Sequence, residues 1–183
     1  RGNNNFEYDL VDICRQALAD QGRKQYLKAM ADYKSFSRQE FKKDSDRFLK
    51  MILLQDKLLG TRPEFRLGRW IEEARSLGKT AEEKDLYEWN ARVQITTWGN
   101  RICADNGGLH DYGHKEWQGL LKDFYYLRWS TFMKSLASLL SLQDTPRIDW
   151  YGLEEPWTLQ KNPYSSKAEG SPKDVAKEVN DCI

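Results

Sequence analysis

Apolar residues at Phe6, Leu10, Ile13, Cys14, Ala17 and Leu18 recur every three or four positions, the spacing that lines one face of a helix, and predict a first helix over residues 6–33. A change of phase near Gly22, before Tyr26, Leu27 and Met30 take up the stripe, predicts a bend there. Ser37 and Glu40 have capping-box spacing and open a second helix through Phe41, Phe48, Met51, Ile52 and Leu59, ending at Gly60. Beyond Pro63, a short amphipathic helix runs through Leu67, Trp70, Ile71 and Ala74 to Gly78. A second capping box, Thr80 with Glu83, starts a helix whose apolar side is read as Leu86, Trp89, Asn90, Val93 and Thr97, with Asn90 a hydrogen-bonded core amide and the end near Trp98 and Gly99.

Residues 99–111 contain Asn100, Asn106, Gly107 and Gly108, a density of turn formers that predicts a long irregular loop. Asp111 reads as the cap of a helix over 112–142. One stripe holds Trp117, Leu120, Leu121 and Phe124; the next holds Tyr125, Trp129, Phe132, Met133, Leu136, Leu139 and Leu140. The two differ by one residue, because a straight helix would bring Arg128 rather than Trp129 into register after Phe124. A kink between Phe124 and Arg128 follows. After Pro146 the periodicity fades, and Trp150, Tyr151, Trp157 and Tyr164 lie among Gly and Pro as anchors of an irregular strap. Ser171 and Pro172 announce a short last helix over 173–180. The expected fold class is all-α: one domain over 1–183, an irregular bundle of about five to seven helices with a C-terminal aromatic-rich strap and a short last helix.

Composition narrows the function classes. The 183 residues are 39% hydrophobic and 31% charged, the balance of an ordered chain with one core. Its 29 basic residues nearly cancel 28 acidic ones and form no block, which argues against nucleic acid as a partner. Apolar runs fall short of the roughly 20 residues that cross a bilayer, which argues against membrane insertion. Cys14, Cys103 and Cys182 are an odd number in no paired spacing, so neither a disulfide nor a zinc site is expected. His110 and His114 stand four apart without a third ligand at a diagnostic spacing, so no metal and no cofactor is assigned. Acidic residues such as Glu72, Glu73, Glu82 and Glu83 fall on solvent faces or first turns, and no pair is spaced to face across a scissile glycosidic bond.

Aromatic residues are unusually many, with seven Trp, nine Tyr and seven Phe. Those at helical spacing, including Trp89, Trp117 and Trp129, are assigned to packing. Trp98 stands apart, at a helix end before the long loop, where an indole face can meet a sugar or anchor the loop.

Read together, FEYDLVDICRQALAD, FRLGRWIEEARSLG, YEWNARVQITTWG and HDYGHKEWQGLLKDFYYLRW, in that order, resemble the C-terminal domain of glycoside hydrolase family 89, the α-N-acetylglucosaminidases. The tail YSSKAEGSPKDVAKEV is similar to the family's last helix. The resemblance implies an exo-acting, retaining hydrolase of terminal α-linked N-acetylglucosamine, in a secreted, periplasmic or lysosomal setting. It also implies an upstream (β/α)8-type barrel that holds both catalytic glutamates, so that no catalytic residue falls in this chain. The family's W-G…L-H-D-Y pattern places substrate-binding roles on Trp98, Leu109 and Tyr112, across a loop, RICADNGG, that looks longer than in the animal enzyme. A detached domain would expose an apolar face of about a thousand Å2 where the barrel packed. The alternatives are a helical scaffold or protein-interaction domain without ligand contact, and a free-standing carbohydrate-binding module.

Overall fold

The computed structural model describes residues 4–108 and 110–183; Leu109 lies outside the described residues. Eight α-helices and no strand are found among them, in accord with the all-α expectation. They are α1 (Asn4–Lys34), α2 (Arg38–Leu59), α3 (Leu67–Ser76), α4 (Ala81–Gln94), α5 (Arg101–Gly107), α6 (Tyr126–Leu140), α7 (Trp150–Leu159) and α8 (Pro172–Cys182).

Helices α1 and α2 form a long hairpin. Helix α1 runs unbroken through Gly22, where an added Cβ would meet no atom within 4 Å. The phase change there comes from the stripe passing between two packing clusters. Val11 and Leu18 join Met51, Leu58, Leu59, Val175 and Val179 in one of them, while Ala29 joins Phe41, Phe48, Met133 and Leu140 in another. The Ser37 cap is not made, since its hydroxyl faces Ser35 and Glu40 pairs with Lys43. The Thr80–Glu83 capping box is formed in both directions.

Only part of the expected face of α4 is buried. Val93 and, beyond the helix, Thr97 are inside as expected, but Leu86, Trp89 and Asn90 are exposed, Trp89 at 43%, and Glu88, Ala91 and Arg92 are buried in their stead. Arg92 is the reason. Its guanidinium bonds Glu88 one turn back and the carbonyl of Asn162, and lies over the adjoining rings of Trp157 and Tyr164, 5.1 and 5.2 Å from their centroids. A weakly hydrated planar cation with a carboxylate partner and two aromatic faces is accommodated in a core where an isolated charge is not. The predicted end at Trp98 also moves, because the helix stops at Gln94.

The helix predicted to start at Tyr112 begins only at Leu120. The carboxylate of the buried Asp56, on α2, accepts from the amides of Gly119 (2.7 Å) and Lys122 (3.0 Å) and caps that start. The expected kink takes the form of a π turn over Leu121–Tyr125, in which the amide of Tyr126 bonds the carbonyl of Leu121 five residues back. One residue is thereby inserted without leaving the helix. Leu120 and Phe124 face a second core, with Leu67, Ile71, Ala91, Ile95 and Trp157, while Trp129 turns onto Tyr26 and Phe48.

The predicted strap is half helix: Asp149 caps α7 through the amide of Gly152, and Trp150 to Leu159 are helical with Pro156 inside. Only the stretch from Gln160 to Gly170 crosses the bundle as an irregular segment. Arg66 holds it, donating to the carbonyls of Gly60 and Ser165 and to Glu169. Tyr164 packs on Trp157, donates to Asp123 (2.9 Å) and accepts from the Trp157 indole (3.2 Å). The Ser171–Pro172 start of α8 is as read, and the helix continues to Cys182. Cys14, Cys103 and Cys182 are free thiols.

The strap lies on α3 at Gly68, where an added Cβ would come within 2.4 Å of the Ser165 backbone. Gly68→Ala is expected to lift the strap and to lower stability by about 1–3 kcal/mol, read as a drop in denaturation midpoint with unchanged m-value. Burial, then the neighbouring Asp123 charge, push the Tyr164 phenol from 10.0 up to about 12. The phenol therefore contributes stability in full below pH 10.0 and loses that contribution as pH rises through about 12. Tyr164→Phe is expected to flatten the stability–pH curve in that window.

Candidate functional site

The segment from Ile95 to Glu116 carries the residues singled out by sequence, and a few backbone bonds fix its path. After α4 ends, Ile95, Thr96 and Thr97 are buried, which anchors the chain before it reaches Trp98. The Trp98 amide donates to the carbonyl of Val93 (2.8 Å), and Trp98 takes a left-handed conformation with φ of 64°. The turn formers that suggested an irregular loop instead build the short helix α5. Asn100 caps it through the amide of Cys103, and Gly108 closes it in the left-handed region. Arg101 of α5 pairs with Asp149 (2.7 and 3.0 Å) and covers the Tyr151 ring, which docks α5 on α7. The hydrogen bonds from Arg101, then from the Gly152 amide, draw the Asp149 carboxyl down to about 2.

The chain returns to the end of α4 at Asp111, whose amide donates to the Thr96 carbonyl (2.8 Å). Asp111 is not a helix cap. It has φ of 52°, Gly113 and His114 follow at 73° and 41°, and residues 112–119 are non-helical, so His110 and His114 share no helical face. Among the described residues, no group of three His, Cys, Asp or Glu is gathered to hold a metal. Trp98, Asp111 and His114 are three non-glycine residues in a region that disfavours side chains. Each such residue costs on the order of 1–3 kcal/mol, and such strain collects where structure serves a site.

This backbone brings Trp98 and Tyr112 together, fourteen positions apart in sequence, with ring centroids 4.8 Å apart and planes inclined by 33°. Trp98 is 36% exposed and Tyr112 62%. The rings form an open aromatic platform with a phenol at one edge, suited to the C–H face of a pyranose by dispersion and to a hydroxyl by hydrogen bonding. Leu109, the third expected contact, falls outside the described residues.

Beneath the platform is a charged cluster that sequence reasoning did not single out. Arg128, on α6, clasps Asp111 with both terminal nitrogens (2.6 and 3.0 Å) and donates through Nε to Glu154 of α7 (2.7 Å). Its guanidinium also lies over Phe124 and Tyr125, 4.9 and 5.1 Å from the ring centroids. Burial pushes the Glu154 carboxyl up, and Arg128 partly offsets this. Glu154 Oε2 is buried with no hydrogen-bond partner among the described residues, so Arg128 is the group that compensates its charge. Burial opposes the charged form of Arg128, yet Asp111 and Glu154 together hold it above the ordinary guanidinium range. Burial, then the Asp111 charge, raise the Tyr125 phenol. The trace in the sequence was Arg128 itself, the residue that interrupts the apolar register after Phe124.

Comparison with known proteins places the chain in a family. A family model described as the alpha-N-acetylglucosaminidase (NAGLU) C-terminal domain matches residues 1–181. Human alpha-N-acetylglucosaminidase is 31% identical over 181 residues, covering 95% of this chain and 24% of the human protein. Solved structures of a family 89 glycoside hydrolase from Clostridium perfringens superpose with 38% identity. One, in complex with its substrate GlcNAc-alpha-1,4-galactose, has a TM-score of 0.91 over 96% of this chain; another, in complex with 2-acetamido-1,2-dideoxynojirmycin, has 0.93 over 98%. This chain spans 21% of each of those chains. With residues 1–181 matched by the family model and nearly the whole length shared with these relatives, the chain belongs to the α-N-acetylglucosaminidase C-terminal domain family of glycoside hydrolase family 89.

Proposed function

We propose that this domain supplies one wall of the sugar pocket of an exo-acting, retaining α-N-acetylglucosaminidase. The observation that carries the reading is the Trp98–Tyr112 pair, in ring contact, partly exposed and held on a backbone with Trp98 at positive φ. A scaffold needs only apolar surface, whereas this pair joins an apolar ring face to a phenol, the combination that suits a pyranose. Leu109, between them in sequence, is assigned to the same wall.

The reacting carboxylates are assigned to the remainder of the polypeptide, since the chain spans about a quarter of its human relative. Retaining hydrolysis uses one carboxylate to attack the anomeric carbon and a second to protonate the leaving oxygen, then to activate water. Those two groups belong to the upstream barrel in this reading. The platform's share is to hold the terminal N-acetylglucosamine so that its anomeric carbon meets them. The exposed Leu86 and Trp89 of α4 and the exposed Leu77 before it give apolar surface of the kind a neighbouring domain covers.

In the full-length enzyme, Trp98→Ala is expected to lower kcat/KM for an aryl α-N-acetylglucosaminide by roughly thirtyfold, equivalent to about 2 kcal/mol, as loss of a central aromatic contact does. Unchanged kinetics would leave the scaffold reading in its place. The 183-residue chain alone is expected to release no aryl alcohol from the same substrate and to show no saturable binding of N-acetylglucosamine by calorimetry, because an open wall does not enclose a sugar.

A further inference from the structure

Two bonds tie Arg128 to the turn that presents Tyr112, and a third ties it to α7. Its two terminal nitrogens fix the Asp111 carboxylate in a bidentate pair. Asp111 directly precedes Tyr112, its amide bonds Thr96 and its carbonyl accepts from the His114 amide (2.8 Å). The Asp111 carboxylate is therefore the side-chain handle on a turn whose backbone bonds run back to the end of α4, two residues before Trp98. The third contact, Nε to Glu154, sets the guanidinium plane, and stacking on Phe124 and Tyr125 keeps it there.

Strain gives this arrangement its force. Asp111 and His114 sit at positive φ, where side-chain-bearing residues relax if nothing holds them. Two parallel charge-assisted bonds hold both the position and the orientation of a carboxylate, whereas a single ammonium would hold position alone. The pair is largely shielded from solvent, with side-chain exposures of 21% for Arg128 and 12% for Asp111, so salt screens it little.

We propose that Arg128 is a positioning residue of the sugar pocket: through Asp111 it holds the 110–114 turn in its strained form and so sets Tyr112 against Trp98. The inference rests on the pocket reading given above and adds to it the residue through which α6 and α7 control the platform. Removing the fork is predicted to weaken sugar binding without touching the chemistry. A platform that binds ground state and transition state alike affects KM, whereas loss of folded enzyme lowers apparent kcat and leaves KM in place.

The test is steady-state kinetics of the full-length enzyme on an aryl α-N-acetylglucosaminide, with Tyr112→Ala, Arg128→Lys, Asp111→Asn and the two double variants that combine Tyr112→Ala with each of the others. The expected result is that Tyr112→Ala raises KM about tenfold, that Arg128→Lys and Asp111→Asn each raise it about five- to tenfold with kcat within about twofold, and that neither adds to Tyr112→Ala. If Arg128→Lys is poorly folded, its active fraction still reports KM, and Asp111→Asn probes the same bond from the other side. KM effects that multiply in the double variants, or a fall in kcat at constant KM, would overturn the positioning role while leaving the pocket reading intact. A silent Tyr112→Ala would overturn both.

Discussion

A planar cation is shared between two carboxylates in the interior of this domain, and the geometry of its exposed end follows from that sharing. Arg128 reaches Asp111 and Glu154 from opposite sides, one on a turn and one on α7. Two buried carboxylates without it would each lose their counter-charge, a cost of several kcal/mol that neither a turn nor a two-turn-long helix face can absorb. The bond distances thus place α6, α7 and the 110–114 turn relative to one another more tightly than apolar packing alone would. Apolar contacts tolerate sliding; a bidentate pair does not.

A related arrangement occurs a second time, with one carboxylate. Arg92, fully buried, bonds Glu88 and the Asn162 carbonyl and lies over the rings of Trp157 and Tyr164, joining α4 to α7 and the strap. Both arginines meet α7, so this short helix, with Pro156 in its interior, is located by charge on one side and aromatic faces on the other. The abundance of Trp and Tyr in the composition is explained in part by this role, since such rings provide the faces on which a guanidinium can be buried.

Periodicity revealed the long helices, the Thr80–Glu83 cap, the Ser171–Pro172 start and the one-residue phase slip after Phe124. These are local matters, decided by residues three or four apart. It misassigned part of α4, because an apolar count cannot anticipate that Arg92 is inside and Trp89 outside; the partners that make this so, Trp157 and Tyr164, are more than sixty positions away. It read a loop where α5 forms, because Asn and Gly mark helix ends as well as turns. Of the site, Trp98 was marked by its place at a helix end before a long segment and Tyr112 only by family resemblance, and their ring contact follows from left-handed turns that no pattern of residue types specifies. The Arg128 cluster joins positions 111, 128 and 154, and proximity of that kind is a property of the tertiary fold.

The π turn has a mechanical meaning as well. Each residue of a helix advances the azimuth by about 100°, so one inserted residue lets a single rod present Phe124 to one cluster and Trp129 to another while Arg128 remains aimed between them. That rod therefore serves two seats at once: Met133 and Leu140 fix it against the α1–α2 hairpin, and the inserted residue lets its other end meet a separate cluster through Phe124 without a break in the backbone ladder.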